Sequence, residues 1–237
     1  MNPFATAALG LSATALLAGG ALYAGMWPTS QIYGHTWIAG DDPSEVALTY
    51  DDGPSPDNTP ALLELLAQHN VHATFFLIGE HVRRYPQLAR RIAEEGHSIG
   101  NHTMTHPNLF RSSSATTHRE LADCQRLIAD TTGVTPRLFR PPFGARNPAT
   151  LRVARAMHLE PVMWNVTAKD WQPLSVEAII ANIDRDVGRN QRKGRGSNIL
   201  LHDASHLDTP QKLASRANTL AATAELLMRP GLRFIAL

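Results

Sequence analysis

The sequence predicts an α/β domain of repeating strand and helix units, preceded by one apolar helix. Three observations predict it. Short β-rich runs alternate with longer helical patterns. Polar clusters fall where those runs end, the place where α/β barrels gather catalytic groups. No Asp, Glu, Lys or Arg occurs before Asp41.

The first strand is expected at Val46 to Tyr50, followed by a leucine-rich helix around Ala61 to Ala67. Further strands are expected at Ala73 to Ile78, His97 to Gly100, Leu138 to Arg140, Pro161 to Asn165, Asn198 to Leu201 and Arg233 to Ala236. Pro86 opens a helix that Gly96 ends, and Ser175 stands as the cap of a helix from Val176 to Arg189. Cys124 shares helical spacing with Leu121, Leu127 and Ile128 and reads as a small core residue. As the single cysteine, it excludes a disulfide within the chain.

From Phe4 to Met26 the chain is apolar or small, which suits hydrocarbon. Two readings follow for residues 1–26: an uncleaved transmembrane anchor, or a secretory signal cleaved after Leu22-Tyr23-Ala24. The missing basic start favours the anchor and with it the cell membrane; no Lys or Arg flanks the segment to orient it, and it is the chemistry of the domain that places it outside the cytoplasm. The stretch that follows, 27–41, uncharged from Pro28 to Gly40, reads as a tether, leaving 42–237 as one α/β domain. At 237 residues with 43% hydrophobic content, the chain can bury one sizeable core. Its 22 basic and 21 acidic residues give no electrostatic reason to expect nucleic acid as partner. The basic run Arg189 to Arg195 reads as a solvated loop.

Five polar clusters carry the chemistry. Thr49-Tyr50-Asp51-Asp52-Gly53 puts two adjacent carboxylates after a β-run, and neighbouring side chains point apart, so one could hold a cation while the other accepts a proton. Alone, such a pair in a turn reads more readily as a solvated cap for the next helix. His102-Thr103-Met104-Thr105-His106 sets two imidazoles four residues apart, within reach of one metal. Among 11 histidines, His202 and His206 share that spacing, so spacing does not select the pair. The other clusters are Arg140-Pro141-Pro142-Phe143-Gly144, Asp170-Trp171 and Leu200-Leu201-His202-Asp203.

In that order, over nearly the whole chain after the apolar segment, these motifs resemble those of the polysaccharide deacetylases that share the NodB homology domain, carbohydrate esterase family 4. The resemblance implies a distorted (β/α) barrel that removes acetyl groups from polymers such as peptidoglycan or chitin with a divalent metal. It makes Asp52, His102 and His106 the metal ligands, Asp51 the general base and His202 the general acid. It gives Arg140 the task of holding Asp51, and Asp170 that of orienting His202. It assigns the oxyanion contact to the Phe143 backbone N–H, and apolar walls around the acetyl methyl to Trp171 and Leu200. Physical reasons support the pairs: a cation favours the charged form of a neighbouring carboxylate, and a carboxylate favours imidazolium. Zinc suits two histidines and one carboxylate, while cobalt, nickel and manganese accept the same ligands. On this assignment His206 is expected to be a loop residue without a catalytic role.

Two positions depart from the family pattern. Tyr50 replaces a usual phenylalanine, and Thr167 stands where an acid usually lies, three residues before Asp170. Thr167 supports the alternative of a catalytically impaired, membrane-tethered glycan-binding protein of the same fold. The retained acids and histidines speak for the enzyme.

Overall fold

The computed structural model describes residues 19–207 and 210–237, without side chains over 210–215. In chain order its elements are α1 (19–26), β1 (Glu45–Asp51), α2 (Thr59–Gln68), β2 (Thr74–Leu77), α3 (Gly79–Arg84), α4 (Pro86–Glu94), β3 (Ser98–Asn101), α5 (Ser114–Thr132), β4 (Leu138–Phe139), α6 (Pro148–Ala156), β5 (Glu160–Pro161), β6 (Val166–Thr167), α7 (Val176–Arg192), β7 (Ser197–His202), α8 (Pro210–Leu227) and β8 (Arg233–Ile235). The strands form one parallel sheet in the order β5-β4-β3-β2-β1-β7-β6, and β8 pairs with the first half of β1.

Chain connectivity forces this sheet to curl. Laid flat, β5 and β6 would stand six strand spacings apart, about 29 Å. Yet β5 ends at Pro161 and β6 begins at Val166, a gap that an extended chain spans with at most about 18 Å. The two edges must therefore approach each other, and the sheet closes into a half-barrel with helices outside. The single strand expected at Pro161 to Asn165 is accordingly two short ones on opposite edges, with the crossing residues between them. Asn165 is fixed there by reciprocal hydrogen bonds with the Asn198 backbone.

Period-two alternation sorts β1 between two interiors. Val46, Leu48 and Tyr50 join the main apolar core, and the Tyr50 hydroxyl meets Thr223 of α8 at 3.0 Å. Thr49 and Asp51 face the other way and both accept bonds from Arg140. Tyr50 thus lies on the helix side, away from the polar cluster. Cys124 is buried with Leu121 and Ile128 in α5, as its spacing predicts.

Residues 27–41 are packed over part of their length, unlike the tether read from the sequence. Trp37 makes a parallel bridge to Val162, Ile38 packs against Met163, Trp164 and Leu200, and Ser30 and Thr36 are buried. An uncharged segment carries no solvation cost that would keep it off the domain, and here it extends the sheet beside β5. Of the expected anchor, residues 1–18 lie outside the described residues, and residues 19–26 form α1. Among the described residues no helix is long and apolar enough to cross a membrane.

Leu48 is fully buried at the centre of β1. Leu48→Ala is expected to cost about 2–5 kcal/mol of stability, read as a lower denaturation midpoint at an unchanged denaturant slope.

Candidate active site

The ends of five strands converge on one cavity of about 330 Å³. Asp51 closes β1 and Asp52 follows it, His102 follows β3, Arg140 follows β4, Asp170 follows β6, and His202 closes β7. Strand register brings Asp51 directly opposite His202 on the neighbouring strand. Of the ten residues singled out from the sequence, eight line the cavity: Asp51, Asp52, His102, His106, Phe143, Trp171, Leu200 and His202. Arg140 and Asp170 lie fully buried, each bonded to one of them.

Asp52, His102 and His106 offer ligand atoms that all lie within 4.8 Å of one another. Asp52 Oδ1 is 3.5 Å from His102 Nε2 and 3.2 Å from His106 Nε2. Asp52 Oδ1 and His106 Nδ1 are buried without a hydrogen-bond partner, a costly state for polar atoms that a cation would relieve at Asp52. His102 Nδ1 sits 2.7 Å from the Arg140 carbonyl. A carbonyl only accepts, so Nδ1 carries the proton and Nε2 is free to ligate. Burial holds His106 down at about 4, against the ordinary 6.5, which keeps its imidazole neutral at physiological pH. Burial alone would raise Asp52, but the surrounding imidazoles of His102, His106 and His206 hold it well below the usual carboxylate range. The donor set therefore fits a divalent metal.

The local backbone is unusual here. Asp52, His106 and Phe143 have φ of 73°, 60° and 58°, left-handed values that are uncommon outside glycine and gather at functional sites. His81 Nδ1 reaches the Asp52 carbonyl at 2.7 Å, and Thr103 Oγ1 accepts from the His106 backbone N–H, so both turns are tied down from behind.

Two charged pairs flank the cavity. Arg140 gives Nη1 to Asp51 Oδ1 at 2.8 Å and to Thr49 Oγ1 at 2.7 Å, and its guanidinium lies 4.2 Å over the Phe76 ring. On the other side, Asp170 receives the His202 backbone N–H and the His202 Nδ1–H, both at 2.9 Å. Arg216 at 3.0 Å and Thr219 at 2.9 Å also donate to Asp170. Burial disfavours the His202 imidazolium, but the charge and hydrogen bond of Asp170 outweigh it and raise its pKa. Asp170 moves the opposite way: its four donors outweigh burial and lower it.

Several residues escaped the sequence reading. His206, expected to be uninvolved, stacks on His106 at 4.2 Å, places Nδ1 3.5 Å from Asp52 Oδ2, and lines the cavity. The turn after β7 brings it back over the ligands, a path that sequence spacing does not encode. Arg216 comes from α8, far along the chain, where nothing distinguishes it from a surface arginine. Asp203 packs so tightly against the Asp51-Asp52 turn that a Cβ on Gly53 would fall 2.4 Å from its Oδ2. Burial pushes Asp203 up to about 7, and Thr59 bonds it at 2.5 Å. Its adjacency to His202 was the available signal. Thr167 accepts from the Trp164 indole at 3.1 Å, so the position that lacks the usual acid orients a cavity wall. Asp170 is held by Arg216 and Thr219 instead.

The model of the polysaccharide deacetylase family matches residues 39–162. Over 151 residues, 64% of the chain, the sequence is 38% identical to a peptidoglycan-N-acetylglucosamine deacetylase of Bacillus cereus, and the match spans 55% of that relative's length. It is 37% identical to a chitooligosaccharide deacetylase of Azorhizobium caulinodans over 76% of this chain and 84% of that one. The crystal structure of the Bc1960 peptidoglycan N-acetylglucosamine deacetylase, in complex with 4-naphthalen-1-yl-N-oxidanyl-benzamide, superposes with a TM-score of 0.74 at 34% identity. That superposition covers 85% of this chain and 90% of the other.

The Asp170 clamp makes a prediction independent of turnover. With Asp170 in place, the His202 imidazolium persists above the ordinary pH of about 6.5. Asp170→Asn removes the negative charge that raises it while burial remains, so the His202 titration followed by NMR is expected to move to lower pH. An unmoved midpoint would show that Asp170 does not set the protonation of His202.

Proposed function

Because the chain belongs to the polysaccharide deacetylase family, we propose that it is a metal-dependent hydrolase that removes acetyl groups from N-acetylated sugars of a peptidoglycan-like or chitin-like polymer. The observation that carries this reading is the convergence of the Asp52, His102 and His106 triad with Asp51 and His202 on one cavity. The names of the relatives support the substrate class. The apolar N-terminal segment supports an anchored domain outside the cytoplasm.

The metal site would be Asp52, His102 and His106. Zinc suits this donor set best, with cobalt, nickel or manganese as lesser fits. When bound, such a cation supplies Lewis-acid chemistry, polarising a carbonyl and making water more acidic. Asp51, aimed by Arg140, accepts the proton of the attacking water as the oxygen adds to the acetyl carbon. The Phe143 backbone N–H donates to the developing oxyanion, and one such donor typically supplies about 2.7–4 kcal/mol of barrier lowering. His202 Nε2 then gives its proton to the departing amine while Nδ1 stays bonded to Asp170. The products are acetate and a free amino sugar. Leu200 and Trp164 wall the cavity on one side, and Trp171 stands edge-on to His202 at 5.5 Å on another.

The division of labour in the acidic pair predicts opposite phenotypes. Asp51→Asn is expected to lose activity by at least 100-fold, in line with a general base, with metal content near that of the parent. His102→Ala is expected to lose the metal first. Metal retained in full by His102→Ala, or lost in Asp51→Asn, contradicts the assignment. Acetate release from N-acetylglucosamine oligomers and peptidoglycan by the full chain, lost on chelation and recovered with zinc, tests the whole reading. A folded, metal-loaded chain inactive on every N-acetyl glycan offered would refute it.

A further inference from the structure

The segment between the apolar N-terminus and β1 is bolted to the loop that carries Phe143. Arg146, three residues after Phe143, is fully buried. Its backbone N–H donates to the Gly25 carbonyl at 2.9 Å. Its guanidinium donates to the carbonyls of Gly144 at 3.0 Å, Trp27 at 2.9 Å and Ser30 at 2.7 Å. One side chain thus ties the end of α1 and the turn after it to the active-site loop. The packing is close: a Cβ on Gly25 would fall 2.3 Å from the Phe110 ring and 2.7 Å from the Arg146 carbonyl. The Tyr33 hydroxyl donates to the Ala21 carbonyl, folding residues 28–33 back beside α1.

The same rigid segment shows large apolar side chains to solvent. Leu22 is 55% exposed, Tyr23 51%, Trp27 55% and Ile32 67%. Tyr23 and Trp27 stack with ring centroids 6.0 Å apart. Residues 4–18, which lead directly into α1, contain no charged side chain, and none occurs before Asp41. A tyrosine and a tryptophan at the end of a long apolar run, in a segment that itself carries no charged side chain, match the amphipathic belt that proteins place at the boundary between headgroups and acyl chains. They do not match a polybasic lipid-binding patch.

We propose that residues 19–33 form a rigid collar that seats the domain on the lipid surface, with Leu22, Tyr23, Trp27 and Ile32 in the interfacial layer and Arg146 locking the collar to the Phe143 loop. The proposal rests on the reading of the apolar N-terminus as an anchor and narrows it, since residues 19–26 then lie in the interfacial layer and the hydrocarbon is left to the residues before them. A tether would let the domain tumble away from the bilayer. A collar fixes its orientation and holds the cavity mouth beside Phe143 close to the membrane, so the glycan reached is one lying along that surface.

The test uses the full chain reconstituted in phosphatidylcholine vesicles. Cys124 is replaced by alanine, and a fluorophore is attached at Trp27→Cys, Ile32→Cys or, as control, Val134→Cys. Val134 is exposed just ahead of β4, at the strand ends opposite the cavity. Lipids carrying a nitroxide high on the acyl chain are expected to quench the labels at 27 and 32 several-fold more than the label at 134, and aqueous iodide the reverse. Labels at 27 and 32 that follow iodide and ignore the nitroxide lipid, in a chain that floats with the vesicles, would overturn the collar and leave the anchor standing. Protection from both quenchers would mean that protein, such as a second copy of this chain, covers the patch, and would also overturn it. A chain that does not float with the vesicles would overturn anchor and collar together.

Discussion

The buried guanidinium of Arg140 is the contact on which the interior of the half-barrel depends. A parallel sheet that curls until its edges approach encloses a narrow space into which the inward residues of several strands must fit. Here they include Thr49 and Asp51 of β1, Phe76 of β2 and Asn198 of β7. Arg140 enters from the end of β4 and touches all four, with Nη2 reaching Asn198 Oδ1 at 3.3 Å. Burial lowers its pKa and the charge of Asp51 counters that. Breaking a buried pair of this kind by deleting one partner generally costs about 3–5 kcal/mol, because the other charge stays behind. The Arg140 carbonyl also fixes the ring of His102. One residue therefore couples Asp51, His102 and the wall of the barrel.

Asp51 and His202 are separated by fold geometry and then biased by their partners. Asp51 and His202 are register partners on adjacent strands, so their backbones are as close as a sheet allows. What distinguishes them is behind the sheet. Asp51 backs onto a cation, while His202 backs onto Asp170, itself held by Arg216 and Thr219. Arg216 lies within hydrogen-bond distance of both Asp170 and the His202 carbonyl, which keeps the Asp170 charge compensated while its field still raises His202. Asp170, which holds His202, has Arg216 and Thr219 as its two other donors, and Thr167 is engaged with Trp164.

The motifs were legible in the sequence because each is short, contiguous and placed where an apolar run stops. Periodicity located every strand except the split at residues 160–167, and capping residues located α4 and α7. The order of the clusters carried the family resemblance and, through it, the ten site residues that the fold then brought to one cavity or its wall. The split escaped because Pro161 to Asn165 is one apolar run, and only closure of the sheet places its two ends on opposite edges. Segment 27–41, uncharged up to Gly40, likewise offered no pattern, since what holds it is Arg146, more than a hundred residues away.

Sequence alone thus determined the chemistry available to this protein: a parallel α/β domain, an apolar N-terminus, and acids and histidines of the types that bind a metal and move protons. Tertiary structure alone decided which of those groups meet. His206 and Arg216 join the site through a turn and a distant helix, and positive φ at Asp52 and His106 aims their side chains inward. Asp203 is pushed up towards neutrality by burial that no local pattern announces. The physical reason is common to all of them. Burial, register and the field of remote charges are properties of the closed sheet, and they have no counterpart in the order of residues along the chain.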